Sequence, residues 1–236
     1  MPWGAIEAVL LDVGNTVVGI DFLLVSERLA ELGFAAGVRA LARAEAAARP
    51  ELSRRLSVGE GLRRDSYLMF LEGILRRIPA TGRDPLAIAE RLGPLLRLPG
   101  HADELWNRPL HGARRALDLF MRLGLPIVAV SNSDGTAERS LERAGLRDAF
   151  RAVVDSHHVG AEKPDAAIFR AALAEAGVPP ERAVHVGDLY AVDVIGAQAV
   201  GLHAVLLDPH GDWYGVDCFR ARNVGAVAEH LRAARP

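Results

Sequence analysis

The chain has 236 residues, half of them hydrophobic and a quarter charged, with a formal net charge of −2. That suffices for one large domain, or for a core domain carrying a smaller insert, and it excludes wholesale disorder. The near-neutral balance excludes a general electrostatic grip on nucleic acid, and the single cysteine, Cys218, excludes an intrachain disulfide or a cysteine-cluster metal site.

The first residues show no basic region followed by an apolar stretch and a cleavage site. No apolar run approaches the ~20 residues of a membrane-spanning helix. The expectation is a soluble, cytoplasmic protein without a membrane partner, its oligomeric state left open.

In chain order, Val9-Leu10-Leu11 runs straight into Asp12 and a Gly14-Asn15-Thr16 turn. A continuous apolar run of this kind suits a strand covered on both faces. After the link Val17 to Ile20, helical spacing of Phe22, Val25, Leu29 and Leu32 predicts a helix ended by Gly33. Val38 to Arg49 is rich in helix formers, with Pro50 expected to stop it. A third helix is expected over Leu62 to Ile78, then a breaker-rich loop from Pro79. Asp84-Pro85 opens a fourth helix reaching Leu98. No strand is expected between Phe22 and Leu98.

From Pro99-Gly100 the texture changes. His101 to Arg108 reads as a connection and Pro109 to Leu123 as a helix. Strands are expected at Ile127–Val130, Ala152–Val154, Ala183–Val186 and His203–Leu207. Helices are expected at Thr136–Ala144, Pro164–Ala176, Val192–Val200 and Val224–Arg232. Strands alternating with helices indicate a parallel sheet with right-handed crossovers. The expected fold is therefore α/β: a Rossmann-like parallel sheet core with helices on both faces (residues 1–17 and 100–236) plus an inserted all-helical cap (residues 18–99).

A parallel sheet puts the carboxyl ends of its strands on one side, where open α/β sheets bind ligands. Four polar groups fall there: Asp12 with Thr16, Ser131 with Asn132, Lys163 with Pro164, and Asp188 with Asp193. Asp12 and Asp188 are hard oxygen ligands suited to Mg²⁺, which also binds substrate phosphate. A serine hydroxyl, backbone N–H groups and a lysine can hold the remaining phosphoryl oxygens. Asp12 can act as nucleophile, dividing one displacement into formation and hydrolysis of a covalent intermediate.

In this order and spacing the chain resembles the haloacid dehalogenase-like hydrolases over nearly its whole length. The matching stretches are Asp12-Val13-Gly14-Asn15-Thr16, Ser131-Asn132, Glu162-Lys163-Pro164-Asp165 with Ile168-Phe169, and Gly187-Asp188 with Asp193. They match the subgroup whose helical cap lies between the first two motifs. The resemblance implies that Asp12 is nucleophile and metal ligand, the main-chain oxygen of Gly14 a second ligand and Asp188 a third. It implies that Asp193 supports the metal site, that Ser131, Asn132 and Lys163 hold the transferring group, with Lys163 also balancing charge on Asp12, and that Thr16 holds the loop. The substrate would be a small anionic, phosphorylated molecule.

One position departs from the pattern. Family phosphatases carry a second aspartate two residues after the nucleophile, as general acid and base; here it is Gly14. General acid–base catalysis is typically worth about 10² to 10⁴ in rate. Three accounts are open: a phosphatase for substrates with good leaving groups; an acid supplied by Asp21, His101 or His111; or metal-independent 2-haloacid dehalogenase chemistry. A phosphate-binding or phospho-aspartate switch with little turnover is the reading outside catalysis. His157-His158 is set aside as a ligand pair, because neighbours on a strand face opposite ways. The arginines Arg54, Arg55, Arg63, Arg64, Arg76 and Arg77 are expected on solvated helix faces.

Overall fold

The computed structural model describes residues 1–60, 65–78, 84–98 and 100–235. The start of the third helix at Leu62, most of the breaker loop and Arg63 and Arg64 lie outside them. The core is a six-stranded sheet whose paired strands all run parallel. Its strands are β1 (Ala8–Leu11), β4 (Ile127–Ser131), β5 (Ala152–Asp155), β6 (Ala183–Gly187), β7 (His203–Leu207) and β8 (Phe219–Ala221), in the spatial order β5-β4-β1-β6-β7-β8.

The alternation of side chains explains why β1 reads as an unbroken apolar run. Val9 and Leu11 enter one apolar cluster, with residues of α5 (Ala113–Arg122), α6 (Ala137–Arg143) and α10 (Val224–Ala233). Ala8 and Leu10 enter the other, with α8 (Ala166–Ala176) and α9 (Ile195–Ala199). Both faces of the sheet are covered, so every β1 side chain is buried.

Between β1 and β4 the chain leaves the core through a small antiparallel ribbon. This is β2 (Val18–Ile20) paired with β3 (Trp106–Pro109), where Val18 faces Pro109 and Ile20 faces Trp106. Sequence periodicity left both strands as links, since three or four residues are too few to establish a period. Beyond the ribbon lie α1 (Phe22–Glu31), α2 (Val38–Ser57), α3 (Ser66–Leu75) and α4 (Pro85–Leu96). They close around their own apolar cluster, which includes Val25, Leu29, Leu41, Phe70, Ile74, Ile88 and Leu92.

Pro50 does not stop α2, which continues to Ser57. A proline removes one helical N–H bond and crowds the preceding turn. The second half of α2 is held from outside: Ser53 Oγ accepts from Ala191 N at 2.8 Å, and Arg55 pairs with Glu60 and Glu72. Pro109 ends β3 and the following helix starts only at Ala113, after Gly112 in a left-handed conformation. His157 and His158 sit in a one-turn helix, α7 (Ser156–Val159), rather than on a strand, with their rings edge to face. Residues Tyr190–Val194 form a π-helical turn ahead of α9. Among the described residues, no helix is long and apolar enough to cross a membrane.

Candidate active site

Strand register brings the polar groups together. Leu11 lies beside Ala129 on one side and Val186 on the other. The residues that follow β1, and those that end β4 and follow β6, therefore reach one edge: Asp12, Ser131 and Asp188. All three are buried. Asp12 N donates to Val186 O at 2.9 Å, which fixes the exit from β1 against β6. Asn15 then turns the chain with φ of 56°, a left-handed conformation that asparagine tolerates better than most residues.

Lys163 is the central cation. Its Nζ donates to Asp12 Oδ1 at 2.6 Å and to Asp193 Oδ1 at 2.7 Å. Burial opposes the ammonium charge, but the two carboxylates more than offset it and hold Lys163 protonated. Asn132 fixes the lysine's main chain: its Nδ2 donates to Lys163 O at 2.9 Å and its Oδ1 accepts from Lys163 N at 2.7 Å. Both halves of that amide are thus committed to the loop bearing the lysine, not to the open side of the site.

Asp193 organises the other half. Besides Lys163, it accepts from Asp188 N at 3.1 Å and Leu189 N at 2.9 Å, and it meets His185 Nε2 at 3.0 Å. Burial would raise its pKa, yet Lys163 and His185 pull it well below the ordinary carboxylate range. Its carboxyl packs so closely on Gly187 that a methyl group there would overlap it. Burial lowers the His185 pKa and keeps the imidazole neutral.

The lid helix α2 adds side chains that sequence reasoning did not single out. Arg49 forms a two-pronged pair with Glu45, at 2.8 and 2.7 Å, and its Nε lies 3.3 Å from Asp188 Oδ2. Glu45 also accepts from Asn15 Nδ2 at 3.2 Å. Arg43 pairs with Asp212, so α2 is tied to the core at several points. A signal for these was present: Glu45 and Arg49 stand four apart on a helix otherwise rich in alanine. Nothing in the pattern distinguished Arg49 from the other arginines. Of those, Arg55 is buried against Glu60 and Glu72, while Arg76 and Arg77 pair with Glu72 and Glu51. Arg54 and Arg76 are exposed as expected, whereas Arg55 and, in part, Arg77 are drawn into the helical cluster by their carboxylate partners.

The site is electrostatically unbalanced. Four buried carboxylates, of Asp12, Glu45, Asp188 and Asp193, face two buried cations, Lys163 and Arg49. Burial raises the pKa of Asp12, with Lys163 opposing and Asp193 adding to it. Burial and the neighbouring acids hold Asp188 well above the usual range, against the pull of Arg49. A divalent cation would relieve both. Among the described residues no group of three or more His, Cys, Asp and Glu forms a ready metal cage. Two carboxylates and a main-chain oxygen nonetheless suit Mg²⁺, which keeps several waters and shares substrate phosphate oxygens.

Ser131 ends β4 with a hydroxyl that bonds no protein group among the described residues. Thr16 is buried, its N–H donating to Val13 O at 3.3 Å while its Oγ1 has no partner. Gly14 carries no acid, and Trp106 fills the space beside it. Asp21 caps α1 and pairs with Arg108. His101 lies half-exposed beside Glu104, and His111 is exposed.

Comparison with known proteins bears on this geometry. The family model for haloacid dehalogenase-like hydrolases matches residues 6–201. A ribulose-1,5-bisphosphate 5-phosphatase of Halopiger xanaduensis is 32% identical over 190 residues, which is 78% of this chain and 74% of that protein. Haloacid dehalogenase-like hydrolase domain-containing protein 3 of Mus musculus is 46% identical over 98 residues, 42% of this chain and 39% of that one. The match thus spans about two fifths of the length of that relative. Among solved structures, a phosphatase of this family from Thermococcus onnurineus superposes with a TM-score of 0.59 at 25% identity, covering 96% of this chain and 98% of that one.

Proposed function

The chain belongs to the haloacid dehalogenase-like hydrolases, and on that footing we propose that it is a Mg²⁺-dependent phosphatase. It would act on a small phosphorylated metabolite through an aspartyl-phosphate at Asp12. The observation that carries this reading is the buried cluster of three carboxyl groups at the strand ends, Asp12, Asp188 and Asp193, facing one lysine that holds the nucleophile. Gly187-Asp188 followed by Asp193 is similar to the metal-binding, phosphatase form of the fourth motif rather than to the dehalogenase form. Relatives named as phosphatases support the same choice.

In this mechanism Lys163 holds Asp12 Oδ1, which leaves the other carboxylate oxygen to attack phosphorus. Mg²⁺, held by Asp12, Asp188 and the Gly14 main-chain oxygen, would supply charge neutralisation for the phosphoryl group. The Ser131 hydroxyl and Lys163 bind other phosphoryl oxygens. Asp193 keeps Lys163 and the loop after β6 in place, Asn132 positions the lysine's backbone, and Thr16 holds the turn after β1. The cap, residues 18–99, covers the site with α2, and core segments 1–17 and 100–236 carry the chemistry. Arg49, whose Nε lies 3.3 Å from Asp188 Oδ2, would share that carboxylate with Mg²⁺.

The test is a steady-state assay with acetyl phosphate and 4-nitrophenyl phosphate, with and without Mg²⁺. Metal-dependent turnover is the expected result. A single stoichiometric phosphorylation would mean a phospho-aspartate switch, and halide release from 2-haloacids without metal would mean a dehalogenase.

A further inference from the structure

Gly14 occupies the place of the missing acid, and the direction its side chain would take is not empty. A Cβ there would meet Trp106 Nε1 at 3.3 Å and Cδ1 at 3.4 Å. The indole therefore sits where the aspartate's side chain would extend. Trp106 is half-buried and packs against both the core cluster beneath the sheet edge and the cluster of the lid helices. Its ring lies 5.9 Å from Phe70 and 6.3 Å from Tyr67, between centroids, and β3 holds its backbone against Ile20. The ring is thus clamped on several sides, while its N–H, which bonds no group among the described residues, is not shut off from solvent. An indole N–H is a donor only, so one left open to solvent can donate to an acceptor that enters the site.

We propose that the Trp106 N–H donates a hydrogen bond to the leaving-group oxygen, in place of the absent carboxyl, and thereby restricts the enzyme to phosphate esters and anhydrides with weakly basic leaving groups. The inference rests on the phosphatase reading above. As Asp12 forms its bond to phosphorus, the bond from phosphorus to the bridging oxygen breaks and that oxygen keeps the electron pair. A carboxyl group would hand over a proton at that moment. The indole cannot, because its N–H is too weak an acid; it shares the developing charge, and the departing anion takes its proton from water. Acyl, enol and aryl phosphates tolerate this, whereas alkyl phosphates release a strongly basic alkoxide. The same geometry explains why position 14 is glycine: a larger residue would displace the ring.

The experiment is a leaving-group series. kcat/KM is measured for acetyl, aryl and alkyl phosphates in the wild type and in Trp106→Phe, which keeps a smaller aromatic ring at the position and removes the N–H. One preorganised donor to a developing oxyanion is worth up to about 10² to 10³ in rate, and a neutral donor in a half-open site should fall at the low end. The expected result is a plot of log(kcat/KM) against leaving-group pKa that is steeper in the variant, alkyl substrates losing at least about tenfold more than 4-nitrophenyl phosphate. A purely structural role would lower every substrate alike, and parallel plots overturn the proposal. Should Trp106→Phe fold poorly, indole N–H NMR on Asp12→Asn gives an independent answer, since the chain has only 3 tryptophans. Titration with phenyl phosphate should move one indole N–H signal downfield; saturation without such a shift overturns the proposal. A wild type that neither binds nor turns over any phosphate compound would overturn the phosphatase reading together with it, while turnover with an unchanged slope overturns this inference alone.

Discussion

Gly14→Asp restores the carboxyl that family phosphatases carry, and the structure sets both its cost and its gain. The backbone at residue 14 lies outside the left-handed region, so an ordinary L-residue fits it without dihedral strain. The neighbour is the difficulty: with Trp106 Nε1 at 3.3 Å from the new Cβ, the indole must retreat by a few tenths of an ångström. Overpacking a tight core costs about 1–3 kcal/mol, and a half-buried ring able to move outward puts this case near about 1 kcal/mol, or roughly 2–4 °C in Tm. Against that stands the value of general acid catalysis, about 10² to 10⁴. Trp106 would donate to the new carboxylate and favour its ionised form, so the gain should sit near the lower bound. We predict that kcat/KM for an alkyl phosphate such as glycerol phosphate rises about 10²-fold, equivalent to about 2.7 kcal/mol of barrier, while 4-nitrophenyl phosphate changes by less than about threefold. Parallel kinetics on the two substrates, with melting and Mn²⁺ titrations as controls, decide the matter. No gain on the alkyl ester in a folded, metal-binding variant would refute the view that the absent acid limits turnover.

Other positions give further expectations. Asp12→Asn should remove turnover of every substrate, measured by phosphate release, because the amide is not a nucleophile; retained activity would mean a different attacking group. Asp188 sits above the ordinary carboxylate range in the folded chain, so between its unfolded and folded pKa values the native state holds a proton that the unfolded state has lost. Metal-free stability should then fall as pH rises through that window, and Asp188→Asn should flatten the profile, raise Tm at neutral pH by about 2–4 °C and lose Mn²⁺ binding in calorimetry. Gly187→Ala drives a methyl into the Asp193 carboxyl, and about 3 kcal/mol of destabilisation is expected, read as a Tm lower by about 10 °C. A near-native melt would show that Asp193 can relax without consequence.

How much of this could be read from the residues differs by element. The apolar run of β1 and its acid were legible because a strand covered on both faces leaves an unbroken signal, and Val9-Leu10-Leu11 does feed both sides of the sheet. The order of the other central strands was legible for the same reason, whereas the edge strand β8 (Phe219–Ala221), three residues long, was not expected. The ribbon of Val18–Ile20 and Trp106–Pro109 was not, because three or four residues show no period, and the burial of Val18–Ile20 comes from tertiary packing rather than from a local pattern. Pro50 misled because local helix propensity weighs one lost hydrogen bond, whereas the long contact of Ser53 with Ala191 lies 138 residues away in sequence. The motif carriers Asp12, Ser131, Lys163, Asp188 and Asp193 stood out by spacing. Glu45, Arg49 and Trp106 did not, since their positions depend on how the lid closes over the strand ends, and one chain carries no local sign of that.

The proposed covalent step can be tested most directly by rapid acid quench of the protein mixed with ³²P-labelled acetyl phosphate and Mg²⁺, followed by peptide mapping. An acid-stable, base-labile label on the peptide containing Asp12, formed and lost at rates compatible with turnover, is the predicted result. Turnover without any labelled protein, or label on another residue, would contradict it.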